Sequence, residues 1–129
     1  TLRLVGYELP VGLTYAPGAV LPISLYWQTD TPIAGNYTVA FFVRDVNGAA
    51  IAQMDLAPAG GFLPTSTWTV GAPVWDNRAV ELPADLPVGD YQLWVKVYEY
   101  TDAARDLPVT TGEALDGVIG VLPVRIQVR

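Results

Sequence analysis

Leu86-Pro87-Val88-Gly89-Asp90-Tyr91-Gln92-Leu93-Trp94-Val95-Lys96-Val97-Tyr98 decides how this chain is read. Pro and Gly punctuate its start, and a strict two-residue period follows. Tyr91, Leu93, Val95 and Val97 fall on one face; Gln92, Trp94, Lys96 and Tyr98 fall on the other. Alternation of this kind predicts an antiparallel strand with one face on a core. A Tyr just inside a strand after a Gly turn is the pattern of a tyrosine corner, a feature of Greek-key sandwiches.

Working outward, the same grammar recurs. Leu2 to Glu8 predicts a first strand, closed by Pro10 and Gly12. Val20 to Gln28 predicts a second, with Leu21, Ile23, Leu25 and Trp27 on one face, so Trp27 is expected in the core. Pro22 within it suggests an edge strand or a bulge near its start. Tyr37 to Asp45 follows, with Tyr37, Val39, Phe41 and Val43 inward, then the hairpin signal Asp45-Val46-Asn47-Gly48 and a return over Ala50 to Asp55. The connection from Leu56 to about Pro73 is long enough to be functional or a crossover between sheets. Val74 to Leu82 predicts a further strand, Thr101 to Asp106 a polar turn and Arg105 to Val109 a short strand. Thr110 to Gly117 reads as a loop, and Val118 to Val128 as the last strand. No helical period persists. The fold class expected is all-β: a two-sheet antiparallel β-sandwich with an immunoglobulin- or fibronectin-like Greek key, one domain over 1–129.

Composition removes several function classes. The chain has 129 residues, no Cys and no His, and a net charge of −6. Without Cys there is no disulfide framework or thiol chemistry, and without His a Ser-His-Asp device is impossible. Seven basic residues against thirteen acidic ones give the wrong sign for nucleic acid or an anionic membrane surface. No apolar run approaches the ~20 residues of a membrane helix. The first residue is Thr1, which predicts a domain excised from a larger protein; a Met directly before Thr1 in the native gene would defeat that expectation.

Aromatic residues are the candidate site. A pyranose packs its C–H face on a π system while polar neighbours bond its hydroxyls. Trp94, Tyr98 and Tyr100 point outward on one strand, and Trp68 and Trp75 sit near the long connection. The five could form a sugar platform. The competing reading is that the long connection or a neighbouring domain covers them. Asp45, Asp55, Asp76, Asp102, Asp106, Glu113 and Asp116 could supply calcium oxygens, but their spacing matches no full loop motif, and a hairpin turn explains Asp45-x-Asn47-Gly48 better. Asp76 shares parity with Val80, which suggests a half-buried carboxylate accepting backbone N–H bonds. Arg105 is a candidate partner for Asp102 or Asp76. Gly60-Gly61 precedes neither a helix nor a Lys and reads as a flexible turn, and Asn36-Tyr37-Thr38 is formally a glycosylation acceptor. No carboxylate pair is singled out by spacing. The expectation is therefore no catalytic residues, no metal and no cofactor.

Several local motifs run along the chain in order: Gly6-Tyr7, Pro17-Gly18 leading to Leu25-Tyr26-Trp27-Gln28, Ala52-Gln53-Met54-Asp55 and Pro64-Thr65-Ser66-Thr67-Trp68. Gly71-Ala72-Pro73-Val74-Trp75-Asp76, Leu82 to Tyr91, and Arg105-Asp106-Leu107-Pro108-Val109 complete them. Together they resemble the β-sandwich domain attached to the C-terminus of large membrane glycosyltransferase-like and other surface proteins of filamentous phototroph-related bacteria. That resemblance implies an extracytoplasmic accessory module whose partners are the other domains of its parent. It covers nearly the whole chain, although none of its motifs falls within Thr110 to Arg129, and it brings no catalytic residues to this chain. The expected function is thus a non-catalytic interaction module of a bacterial envelope protein. The alternative is a carbohydrate-binding module using outward Trp and Tyr.

Overall fold

The computed structural model describes the backbone of residues 2–99, 102–110, 113–115 and 119–129, and side chains within 2–99, 107–109 and 119–129. Its strands are β1 (Leu2–Glu8), β2 (Thr14–Tyr15), β3 (Val20–Thr29), β4 (Tyr37–Arg44), β5 (Ala50–Leu56), β6 (Val74–Glu81), β7 (Gly89–Glu99), β8 (Asp102–Leu107), β9 (Val109–Thr110), β10 (Glu113–Leu115) and β11 (Ile119–Val128). They form two sheets: a four-stranded one, β6-β3-β1-β9, and a seven-stranded one, β10-β11-β7-β4-β5, with β2 on β11 and β8 on β7. The β1–β9 and β2–β11 pairs are parallel and the rest antiparallel. The larger sheet curls into a half-barrel.

Alternation determines which side chains meet between the sheets. Leu93, Val95 and Val97 of β7 are fully buried, as are Val39, Phe41 and Val43 of β4. Opposite them stand Leu21, Ile23, Leu25 and Trp27 of β3, Trp27 with no exposed surface. The face expected to be core on each of these strands is core. The Tyr91 hydroxyl donates to the Pro87 carbonyl oxygen at 2.6 Å, four residues upstream, the bond that defines a tyrosine corner. Tyr91→Phe removes that donor and leaves a partly buried carbonyl, so it should cost about 1–2 kcal/mol by urea unfolding. It should also change the alkaline limb. Burial, and then the charge of Asp45, raise the Tyr91 phenol above its ordinary 10.0. The folded chain therefore holds this proton at a pH where the unfolded chain has lost it. Stability is complete below pH 10 and falls as pH rises from there through the folded value. Loss of stability above pH 10 should be shallower in the Phe variant, though not abolished, because burial raises Tyr15 as well.

Three features depart from the sequence expectation. Pro22 lies on β3, which is flanked by β6 and β1 rather than at an edge. Pairing with β1 stops at Glu8↔Ser24, so Pro22 has a strand neighbour, Ala79, on one side only and its missing N–H is tolerated. The polar turn expected over Thr101 to Asp106 is instead mostly strand β8, which begins at Asp102 and runs into the short strand expected from Arg105, and residues 113–115, expected as loop, are strand β10. In β11 the register shifts between Val121 and Arg125. Val121 and Leu122 are consequently both buried, and the expected alignment of Leu122, Val124, Ile126 and Val128 leaves Val124 half-exposed. The Asp45 hairpin forms as expected: Oδ1 accepts the N–H groups of Asn47 and Ala49, both at 2.9 Å, and Gly48 takes φ +84°.

Two charges lie inside the sandwich. Asp76 and Arg78 of β6 have fully buried side chains, with Nη2 2.9 Å from Oδ2. Arg78 Nε donates to the same oxygen at 3.0 Å. Nη1 donates to the carbonyls of Val39 and Met54 at 2.9 and 3.1 Å, and Nη2 to that of Leu56 at 2.8 Å. All five guanidinium donors therefore have acceptors. The Ala59 N–H donates to Asp76 Oδ1 at 3.2 Å, and the Trp27 indole N–H lies 3.4 Å from Oδ2. Asp76 was expected half-buried with Arg105 a candidate partner; it is fully buried and its partner is Arg78, while the Arg105 side chain lies outside the described residues.

Candidate functional site

The outward face of the seven-stranded sheet holds the organised polar and aromatic groups. Its centre is β4, with β5 on one side and β7 on the other. Across these strands Asp55, Ala40 and Lys96 form one row, and Gln53, Phe42 and Trp94 the next. Thr38 pairs with Tyr98 beyond the first row, and Arg44 with Gln92 beyond the second.

Trp94 faces outward as its parity requires, but its ring is covered. The Arg44 guanidinium carbon sits 4.2 Å from the Trp94 ring centroid and 4.8 Å from that of Phe42, inside cation–π range. Arg44 is held there by Nη1 donating to the Gly48 carbonyl at 2.6 Å. The Trp94 indole N–H donates to Gln92 Oε1 at 3.0 Å. Among the described residues Arg44 Nε is buried without a hydrogen-bond partner, as suits a side chain positioned by ring stacking.

Next to this stack the face dips. A depression of about 260 Å³ is lined by Ala40, Phe42, Gln53, Asp55, Lys96 and Tyr98. The Tyr98 hydroxyl donates to Asp55 Oδ2 at 2.5 Å, and Gln53 Nε2 donates to Asp55 Oδ1 at 2.7 Å. The carboxylate is thus clamped from two sides. Among the described residues these two bonds use half of its four lone-pair positions.

The other candidate aromatics lie elsewhere. Trp75 is 66% exposed on the outer face of the four-stranded sheet. It meets Tyr26 edge to face, with centroids 5.7 Å apart. The Tyr26 hydroxyl donates to Glu8 at 2.8 Å, a bond that raises its pKa. Trp68 is buried, and its indole N–H donates to the Leu63 carbonyl at 2.8 Å. It fills the space beneath the long connection and offers no ring to a ligand. Tyr100 lies outside the described residues. Only Trp94 and Tyr98 of the five therefore share a face among the described residues, and the five-residue platform does not assemble.

The connection expected to cover the aromatic row covers something else. It crosses from β5 in one sheet to β6 in the other and closes one end of the sandwich. Thr65 Oγ1 donates to the Gly35 carbonyl at 2.7 Å and accepts the Tyr37 N–H at 3.0 Å. Ser66 donates through both N–H and hydroxyl to Asn36 Oδ1. The amide oxygen of the formal glycosylation acceptor is thereby engaged, and its Thr38 is buried.

Of the acidic candidates with described side chains, Asp45 serves a turn, Asp76 an internal ion pair and Asp55 the clamped network; Asp102, Asp106, Glu113 and Asp116 fall outside them. Among the described residues no three His, Cys, Asp or Glu side chains are grouped to hold a metal ion. What sequence reasoning missed is the set Ala40, Gln53, Asp55 and Lys96 as a group. The signal was available only as a small outward residue, Ala40, on a strand of large ones. No protein-family model matches this chain, and a search of curated proteins found no match.

Proposed function

We propose that this chain is a non-catalytic, immunoglobulin-like module of a larger extracytoplasmic envelope protein, working by contact through the outward face of its seven-stranded sheet. The observation behind this reading is the degree of order on that face. Arg44 stacked on Trp94 and Phe42, and Gln53 and Tyr98 clamping Asp55, are fixed side chains where a sheet needs only solubility. Fixed side chains lose little entropy on binding, which favours recognition. The strand orders β6-β3-β1 and β11-β7-β4-β5 support the immunoglobulin or fibronectin part of this reading, in which they would take the places of E-B-A and G-F-C-C′.

Hydrogen exchange tests the contact face. The chain by itself should be compared with the longer polypeptide encoded by its native gene. Amides of β5, β4 and β7 should exchange more slowly in the longer protein, with β3 and β6 unchanged. Equal exchange on the outward face in both would sink the contact reading. Protease treatment of intact host cells tests location: cleavage of this module without lysis is expected, and complete resistance beside a cleaved surface control would overturn it.

A further inference from the structure

Resting on that reading of the outward face, we propose that its β7–β11 margin carries a pocket for a carboxylate, which the partner supplies as an Asp or Glu side chain of an acidic peptide segment. Arg125 grips the carboxylate and the Gln92 amide donates to it.

The pocket originates in the register shift of β11. Val121 pairs with Trp94 and Arg125 with Gln92, so Leu122, Pro123 and Val124 stand opposite Leu93 alone. Pro123 has no N–H for the ladder, and a bulge is where a strand tolerates that loss. A bulge also bends its strand and re-aims the side chains beside it. The result is a pocket of about 330 Å³ lined by Gln92, Arg125 and the residues from Val121 to Val124, inside the ~300–1,000 Å³ of ligand sites.

Two polar side chains of this pocket have donors to spare. Arg125 is exposed, and among the described residues its guanidinium has no hydrogen bond or ion pair. Asp90, two residues before Gln92 on β7, stands opposite Gln127 and forms no ion pair with Arg125. Gln92 Oε1 accepts the Trp94 indole N–H at 3.0 Å. An indole N–H only donates, so the oxygen end must face it and the NH2 end is left for another acceptor. Among the described residues no acceptor takes those protons.

Charge selects the ligand. The chain carries −6, yet Arg44, Gln92 and Arg125 form one row across β4, β7 and β11. The two arginine backbones are about 9–10 Å apart. Arg44 is engaged by Gly48 and two rings, so it contributes field rather than a bond. A guanidinium fork meets a carboxylate with two parallel bonds, and the Gln92 amide adds a further donor. The one side-chain acceptor lining the pocket, Gln92 Oε1, already takes a proton. A sugar, even an acidic one, would bring ring hydroxyls whose protons find no acceptor side chain here. An Asp or Glu side chain brings acceptors only, on a short apolar stem that rests against exposed Pro123 and half-buried Val124.

Chemical-shift titration of the labelled chain, read at backbone amides, Gln side-chain amides and Arg Nε–H groups, tests the proposal. The probe is acetyl-Gly-Glu-Gly-amide, with acetyl-Gly-Gln-Gly-amide as its uncharged match. The Glu peptide should give saturable shifts at Gln92, Arg125 and the amides of Leu122 and Val124, with a Kd of roughly 1–10 mM for one bidentate contact. The Gln peptide should give none. Arg125→Gln should weaken binding about tenfold or more, and Arg125→Lys, which keeps the charge without the fork, by less. Gln92→Glu keeps the acceptor for Trp94, replaces the donor with a like charge and should abolish binding. Arg3→Gln, on the four-stranded sheet, should bind as the parent does. Near-ultraviolet dichroism identifies any variant that fails to fold, and for that variant the shift map on the unmodified chain decides. Equal shifts from both peptides, no saturation by the Glu peptide at about 50 mM, or binding kept in Arg125→Gln overturns the proposal. Galacturonate or inorganic phosphate binding more tightly than the Glu peptide overturns the assignment to an acidic peptide. Each of these failures leaves the contact reading intact, since the exchange comparison on the longer polypeptide judges that separately.

Discussion

Arg78→Met should destabilise this chain by about 3–5 kcal/mol, because it leaves the buried carboxylate of Asp76 without its cation. Both side chains are fully buried, so water cannot take the place of the guanidinium. The loss extends past the ion pair. Arg78 also donates to carbonyls of Val39, Met54 and Leu56, on β4 and β5 of the opposite sheet. It is a strut of hydrogen bonds between the two layers. Asp76→Leu alone should cost a similar amount, since it strands a guanidinium in an apolar interior. The double variant Asp76→Leu/Arg78→Met is the informative one. With neither charge present the desolvation cost disappears, and the pair should recover most of what either single change loses. Urea unfolding of the four proteins gives the cycle. A double variant as unstable as the sum of the singles would mean that the carbonyl contacts and the Ala59 and Trp27 N–H contacts outweigh the ion pair.

How much of this was legible beforehand depends on how locally each feature is written. A strand with one face buried records that fact every second residue, so Tyr91, Leu93, Val95 and Val97 were readable from their own segment. The tyrosine corner was readable too, because donor and acceptor lie four residues apart. Arg78 was written in the same code, on one parity with Val74, Asp76 and Val80. It was overlooked because a buried Arg is rare enough to be assigned to solvent. The start of β8 and all of β10 were not readable: Asp102-Ala103-Ala104 and Glu113-Ala114-Leu115 are too short to show an alternating pattern, and only the end of β8 fell within the strand expected from Arg105. The outward face was legible in direction but not in content. Trp94 had to point outward, yet the Arg44 that covers it comes from another strand, and which guanidinium lies over which ring is a matter of register. The depression between Gln53, Asp55 and Lys96 likewise exists only once β5, β4 and β7 are aligned.

Trp27→Ala should also cost about 3–5 kcal/mol, the range for deleting a large aromatic from a packed core. Trp27 has no exposed surface and is among the largest fully buried side chains. Sheets restrained by their own hydrogen bonds cannot close over the space, so the cavity persists. Against a total stability of about 5–15 kcal/mol for a single domain, this change brings the protein close to its unfolding midpoint at the lower end. Trp27→Phe should cost less, since it keeps a ring in place and loses the second ring with its N–H. The size of that smaller loss has a specific use. The indole N–H lies 3.4 Å from Asp76 Oδ2, at the long end for a hydrogen bond. If the contact matters, Trp27→Phe and Arg78→Met will fail to add, because both act on one carboxylate. If it is mere proximity, the two will sum within about 0.5 kcal/mol. Coupling above that margin would make the indole part of the polar strut between the sheets as well as the filling of the core.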